Sequence, residues 1–316
     1  MAVYTAVSAE ALSRFLARYD QGELVSAKGI AEGVENSNYL VETTRGRFIL
    51  TLYEKRVSAG DLPFFLQLVD QVEGSGVPAP RALLDVAGNA IGQLEGRPAC
   101  LIRFLPGVSP SHPTAEQAQA AGAALGKLHR AVENFPLSRT NDLGLEAWRP
   151  LLVRCGVQID TISPGLYAHV DTALAAVERD WPRALPVATI HADLFPDNVL
   201  MLGDEVTGLI DFYFACTDIR AYDLAVMHSA WAFTNEGTPI GEVGPALIRG
   251  YSDSFGLLAE ERAALPVLAR GACIRFLLTR AWDWLNTPAD ALVTRKDPLA
   301  YLRRLDWYEA NGDAFR

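Results

Sequence analysis

Leu12, Phe15, Leu16 and Tyr19 recur at the spacing of one helical face behind Ser8, with Gly22 as a stop. The period then changes. From 23 to 105 short apolar runs alternate with turn residues: ELVSAKGI, NYLVET, RFILTLYE, RALLDV, AIGQLE and ACLIRF predict strands, with TTRG (43–46) and AGN (87–89) as hairpin turns. One helix, LPFFLQLVDQVEGSG, interrupts them, so the pattern predicts a mostly antiparallel sheet of about five strands. After FLPGVSPSHP the period becomes 3.6. Thr114 with Gln117 makes a capping box for a long helix, and helices are predicted over 165–181, 221–235, 243–255, 259–286 and 297–310. Only IHADLFPDNVLMLGDEVTGLIDFY (190–213) breaks this run, as a loop and a hairpin turning at GDE. The chain therefore reads as α+β: residues 1–103 a small, antiparallel β-rich N-lobe, and residues 104–316 a larger helical C-lobe.

Composition narrows the function classes. The 316 residues are half hydrophobic and carry a formal charge of −10, which disfavours nucleic acid and anionic membranes as partners. Cys100, Cys155, Cys216 and Cys273 form no CxxC pair and read as reduced, inert thiols. The start lacks a signal-peptide pattern, and no apolar run approaches a membrane span. A cytoplasmic, soluble protein is expected.

The chemistry concentrates in 190–213. Four residues separate Asp193 from Asn198, and the hairpin folds Asp211 back beside both. An Asn oxygen and a carboxylate at one point are hard ligands suited to Mg²⁺, which leaves Asp193 to accept a proton. One metal, one base and two lobes describe phosphoryl transfer from a nucleotide. Asp197 reads as a solvated or N-cap carboxylate, and His129 as a hydrogen-bonded core residue.

H-A-D-L-F-P-D-N followed by I-D-F resembles the H-x-D-x-x-x-x-N … D-F-G pattern of the protein-kinase-like superfamily. Without a basic residue in the loop, HADLFPDNV looks like the aminoglycoside-phosphotransferase branch. AEGVENSNYLVET, RFILTLYEKR, DLPFFLQLVDQV, GVPAP and LIDFYFACTDIRAYDLAV widen the similarity, over nearly the whole chain, to the homoserine kinases of this fold. The resemblance implies a protein-kinase-like two-lobed fold, ATP and Mg²⁺ as cofactors, and L-homoserine as the phosphate acceptor. It implies Asp193 as catalytic base, Asn198 and Asp211 as metal ligands, His191 as a loop scaffold and Asp223 as the anchor of the loop backbone. Gly29, Gly33, Val34, Glu35, Asn36, Ser37 and Asn38 would form the turn over the phosphates. Ile102, Arg103, Phe104 and Leu105 would offer backbone groups to adenine.

Two positions depart from the family pattern. Thr51 stands where a phosphate-gripping Lys or Arg is usual, and strand alternation nominates Lys55 instead. Phe65 and Leu66 stand where its Glu partner would be. For the substrate, a small amino-acid alcohol needs a cation for its carboxylate and an anion for its ammonium. Arg220 is the first choice for the carboxylate, with Tyr213 and Asp218 beside it; Arg275, Arg280 and Asp283 are further candidates. Trp231, Phe233, Trp282, Trp284 and Tyr301 fall at helical spacing and read mostly as core.

Three alternatives stay open at this point. The acceptor could be choline, ethanolamine, an aminoglycoside or a sugar; the chain could be a metallohydrolase using His191, Asp193, Asp211 and His228; or it could be a silent nucleotide-binding module. Oligomeric state is not legible.

Overall fold

The computed structural model describes residues 4–30, 36–54, 60–287 and 295–315. The chain divides into two compact units, 1–106 and 107–316.

In the first unit, helix α1 (Ala9–Leu16) is capped by Ser8, whose side chain accepts the Ala11 N–H. It is followed by β1 (Leu24–Gly29), β2 (Ser37–Thr43), β3 (Gly46–Leu52), α2 (Leu62–Gly74), β4 (Gly92–Leu94) and β5 (Arg97–Arg103). The strands form an antiparallel sheet in the order β1-β2-β3-β5-β4. Strand β2 alternates buried and less buried residues, and its inward side chains Tyr39 and Val41 join Leu50, Leu52 and Leu101 against Leu12, Phe15 and Leu16 of α1. Arg103 ties β5 to α2 by donating to Glu73 at 2.7 Å.

RALLDV is not the strand its apolar content predicts. Ala82 makes one bridge to Ile102, and Asp85 then accepts the N–H groups of Ala87 and Asn89 at 3.0 and 2.8 Å. A side chain that satisfies nearby backbone donors competes with the ladder and turns the chain.

The second unit contains α3 (Ala115–Ala131), α4 (Leu145–Cys155), α5 (Leu166–Asp180), β6 (Val187–Ile190), β7 (Val199–Leu202), β8 (Glu205–Leu209), β9 (Cys216–Ile219), α6 (Arg220–Trp231), α7 (Val243–Ser254), α8 (Ala259–Asn286) and α9 (Leu299–Ala310). Thr114 and Gln117 make the reciprocal capping box of α3. Helix α4 was hidden by Pro150 inside it, a residue that normally argues against a helix interior. Its Trp148 is nonetheless fully buried, and that burial offsets the lost backbone bond. Helices α3 and α7 approach at glycines: a Cβ on Gly122 would lie 2.1 Å from the Leu247 carbonyl oxygen, and one on Gly250 1.9 Å from that of Gln119. Helix α6 is buried from Ala221 through Trp231, so it forms the centre of this unit. No described helix is long and apolar enough to cross a membrane.

Candidate active site

Two antiparallel ribbons frame the 191–198 loop. Strand β6 pairs with β9 from Ile190↔Cys216 to Val187↔Ile219. Strand β7 pairs with β8, beginning at Val199↔Leu209, and the Ile210 N–H donates to the Asn198 carbonyl at 3.0 Å. Asn198 therefore lies one ladder step from Asp211, although a strand, a turn and a strand separate them in the chain.

Three helical side chains hold the loop from below. Asp223 of α6, fully buried, accepts the N–H groups of His191 at 2.7 Å and Ala192 at 2.8 Å. The His129 Nε2 lies 3.1 Å from the same carboxylate; an ionised carboxylate only accepts, so Nε2 carries a proton, and Nδ1 is hydrogen-bonded with the Tyr251 hydroxyl at 2.9 Å. Burial alone would raise the Asp223 pKa, but the His129 hydrogen bond and the His191 N–H hold it below the ordinary carboxylate value. Trp231 Nε1 donates to the Leu194 carbonyl at 3.0 Å. Arg275 of α8, also buried, donates from Nη1 to the Ala192 carbonyl at 2.5 Å. Ala192 needs this grip: its φ is 63°, a left-handed conformation that costs a non-glycine residue roughly 1–2 kcal/mol.

His191 joins the two sides of the site. Its Nε2 donates to the Ile210 carbonyl at 3.0 Å, which leaves Nδ1 to accept the Asp193 N–H at 3.3 Å. Burial lowers its pKa, so the ring is neutral, as that bonding pattern requires. The Phe212 ring packs on it at 4.7 Å. One imidazole thus fixes the backbone of Asp193 against the backbone preceding Asp211.

The half-buried Asp193 carries the carboxylate at the top of the loop. Asn198 donates from Nδ2 to the Asp193 carbonyl at 2.8 Å and to its Oδ2 at 3.3 Å. With its nitrogen so used, the Asn198 amide presents Oδ1 as its remaining group. Asp211, left-handed at φ 64° and ψ 59°, starts the short 3-10 turn Phe212–Phe214. One amide oxygen and one carboxylate on adjacent ladder positions are a hard-oxygen donor set, which fits Mg²⁺ rather than a soft or nitrogen-seeking ion.

The model of the phosphotransferase enzyme family matches residues 26–265. The chain belongs to this family. Among relatives, it is 53% identical to the homoserine kinase of Methylorubrum populi over 314 residues, 99% of this chain and 98% of the relative. It is 52% identical to that of Methylobacterium radiotolerans over the same shares, so within the phosphotransferase family it sits with the homoserine kinases. Its fold is also similar to a spectinomycin phosphotransferase solved with ADP and spectinomycin (TM-score 0.71, 14% identity, 98% of this chain and 99% of that one). A choline kinase from Cryptosporidium parvum is similar too (TM-score 0.69, 15% identity, 96% and 95% coverage). The fold is accordingly the protein-kinase-like one of these phosphotransferases, an antiparallel N-terminal sheet followed by a helical region.

Within that family frame, several residues expected at the site lie elsewhere. Arg220 does not reach the loop. It forms a fork with Glu261 at 3.0 and 2.8 Å, Glu261 being fully buried, and its own N–H donates to the Pro186 carbonyl. Because β9 runs antiparallel to β6, Asp218 and Arg220 sit at the ribbon end away from His191, roughly 10 and 16 Å back at about 3.3 Å per residue. Asp218 is occupied there by Asn141 Nδ2 at 2.6 Å. Tyr213, in the turn after Asp211, is half-buried and stays beside the loop.

In the first unit, Gly33, Val34, Glu35 and Lys55 lie outside the described residues. Ser37 is fully buried and its hydroxyl accepts the Tyr4 and Thr5 N–H groups while donating to Glu54. Asn36 is buried and accepts the Glu54 N–H; Asn38 accepts from the Thr51 hydroxyl at 2.7 Å. These side chains tie the strands of the first unit together. Ile102 is paired in β5, the Arg103 side chain is spent on Glu73, and Arg47 lies over the Phe104 ring at 4.7 Å.

The metallohydrolase alternative fails on geometry. Both His191 ring nitrogens are bonded within the loop, and His228 is buried against the Tyr308 hydroxyl at 2.6 Å. Among the described residues, the group of His and carboxylates close enough to share an ion is His169, Asp306 and Glu309, all exposed. All four cysteines are buried and free, and burial raises the Cys100 and Cys155 thiols to about 11. Sequence reasoning missed the loop contact of Arg275, for which no local signal exists, and that of Trp231, which sits two helical turns from Asp223 in α6.

Proposed function

We propose that this chain transfers the γ-phosphoryl group of ATP to the side-chain hydroxyl of L-homoserine, giving O-phospho-L-homoserine for threonine biosynthesis in the cytoplasm. The observation that carries the substrate is near-full-length identity of about half to homoserine kinases; the loop geometry supports the reaction class. Asp193 takes the hydroxyl proton as the hydroxyl oxygen forms its bond to the γ-phosphorus. The bond from that phosphorus to the β–γ bridging oxygen breaks, and ADP leaves with the electron pair. Asn198 Oδ1 and the Asp211 carboxylate would hold Mg²⁺, which when bound offsets phosphate charge. His191 keeps base and metal ligand in register through the Asp193 N–H and the Ile210 carbonyl. Little covalent work falls to the protein; it positions and desolvates.

Coupled ADP release with Mg²⁺–ATP tests this, comparing L-homoserine with D-homoserine, L-serine, choline and kanamycin. Stereospecific turnover on L-homoserine is expected, and turnover on choline or kanamycin alone would refute the substrate. Asp193→Asn should lower kcat by roughly 10²–10⁴ with ATP binding kept, as loss of a general base does. Near-full turnover in that variant would remove Asp193 from its role.

A further inference from the structure

Helix α8 carries a second cation near the loop. Arg275, Phe276, Thr279 and Arg280 share one face of it by their spacing. Arg275 is spent on the Ala192 carbonyl. Phe276 packs edge-on against Phe195, two residues after Asp193, at 4.8 Å, and stacks on Tyr301 of α9 at 5.1 Å. The Arg280 guanidinium lies 4.6 Å over the same Tyr301 ring. An aromatic wall thus runs from the loop carrying Asp193 to Arg280.

Among the described residues, Arg280 is not held by a carboxylate as several arginines of this unit are. Arg149, Arg220 and Arg303 each hold a carboxylate. Among the described residues Arg280 makes no salt bridge; it donates from Nη1 to the Asp297 carbonyl at 3.1 Å. Burial lowers its pKa and the charge of Arg304 adds to this, while Tyr301, Asp297 and, least, Asp197 in the loop act in the other direction. A guanidinium has five donors in a planar fork suited to a carboxylate, and removal from water strengthens whatever anion meets it.

We propose that Arg280 binds the carboxylate of the acceptor. A small hydroxy amino acid lies along the Phe195 ring, its hydroxyl at Asp193 and its carboxylate on the guanidinium. In extended homoserine these two groups stand about 5 Å apart by standard bond lengths. The inference rests on the kinase reading above and moves carboxylate recognition from Arg220, which Glu261 holds, to α8.

The test is Arg280→Met, which keeps much of the apolar stem and removes the fork, measured beside wild type on three compounds. With L-homoserine, kcat/KM should fall roughly 10- to 100-fold, the range for a lost hydrogen bond to a charged group, with the change in KM. The inhibition constant of L-2-aminobutyrate, which has the carboxylate but no hydroxyl, should rise by a similar factor. That of 3-amino-1-propanol, which lacks the carboxylate, should not move, and neither should the KM for ATP. Equal losses on all three compounds, or an unchanged KM for L-homoserine, would overturn the assignment. Wild type without turnover on L-homoserine would overturn the substrate reading and this inference together, whereas an active wild type with an indifferent variant would remove Arg280 alone. If Arg280→Met fails to fold, Arg280→Lys carries the same comparison, with a smaller but still carboxylate-dependent loss expected.

Discussion

Replacing Asp223 by asparagine should cost stability and turnover together, by amounts that can be worked out. The carboxylate accepts two backbone N–H groups and the His129 Nε2 proton, all within 3.1 Å, with no exposure to water. An asparagine oxygen serves one of the backbone donors, and its NH₂ then faces the other. One buried donor is left without an acceptor, a penalty of about 1–3 kcal/mol. The remaining bonds lose their charge assistance, which makes them roughly half as strong, so the sum is about 2–4 kcal/mol. Against a total stability of about 5–15 kcal/mol the variant still folds. A urea titration read by tryptophan fluorescence should show its midpoint lowered by roughly 1 M for an m-value near 3 kcal/mol/M. Turnover should fall at least tenfold, because Ala192 loses one of the bonds holding it left-handed and Asp193 is re-aimed. Asp197→Asn, an exposed change in the same loop, is the control and should shift the midpoint little. The acid limb adds a further check. The folded pKa of Asp223 is lowered, so its contribution is present above the unfolded value of about 3.9 and is lost as pH falls through the lower folded value. The stability gap between wild type and Asp223→Asn should therefore persist down to about pH 4 and close only below it. An Asn variant with the wild-type midpoint and wild-type kcat would refute the idea that this carboxylate holds the loop.

Two further outcomes follow from the second unit. His228 is buried and its pKa is pushed down to about 3. The unfolded chain then binds the extra proton below its ordinary value near 6.5, so stability is full above that pH and falls by up to about 1.4 kcal/mol per pH unit toward 3. Melting temperatures from pH 7.5 to 4.5 should slope less for His228→Gln than for wild type, with a residual slope from His191, and parallel slopes would count against the assignment. Gly250→Ala drives a Cβ to 1.9 Å from the Gln119 carbonyl oxygen and must push α3 and α7 apart. The expected loss is about 1–3 kcal/mol or more, read by the same urea titration; a variant as stable as wild type would show that the crossing yields without cost.

Much of this protein is local in origin. The α1 face, the alternation in β2, the Thr114 capping box and the hairpin between β7 and β8 follow from side-chain period and turn chemistry acting over a few residues, so they are visible in the chain as written. The crowding of Asp193, Asn198 and Asp211 belongs to the same class, because a short hairpin leaves its two ends no choice but to meet. Tertiary structure decided what depends on distant partners. RALLDV has strand composition, yet Asp85 takes its neighbours' N–H groups and ends the pairing. Helix α4 forms through Pro150 because Trp148 has a core to enter. Arg220 looked like a substrate residue from its place near the metal loop, but the direction of β9 carries it away, and Glu261, 41 positions later, claims it. The side chains of Ser37 and Asn38 bond Glu54 and Thr51 of the first unit. Arg275 and Arg280 are one helical turn and a half apart on α8 and nearly alike in sequence context. Only the packing of that helix beneath the loop puts the first on the Ala192 carbonyl and the second over Tyr301, since long-range placement is set by which surfaces bury together and not by any residue's own neighbours.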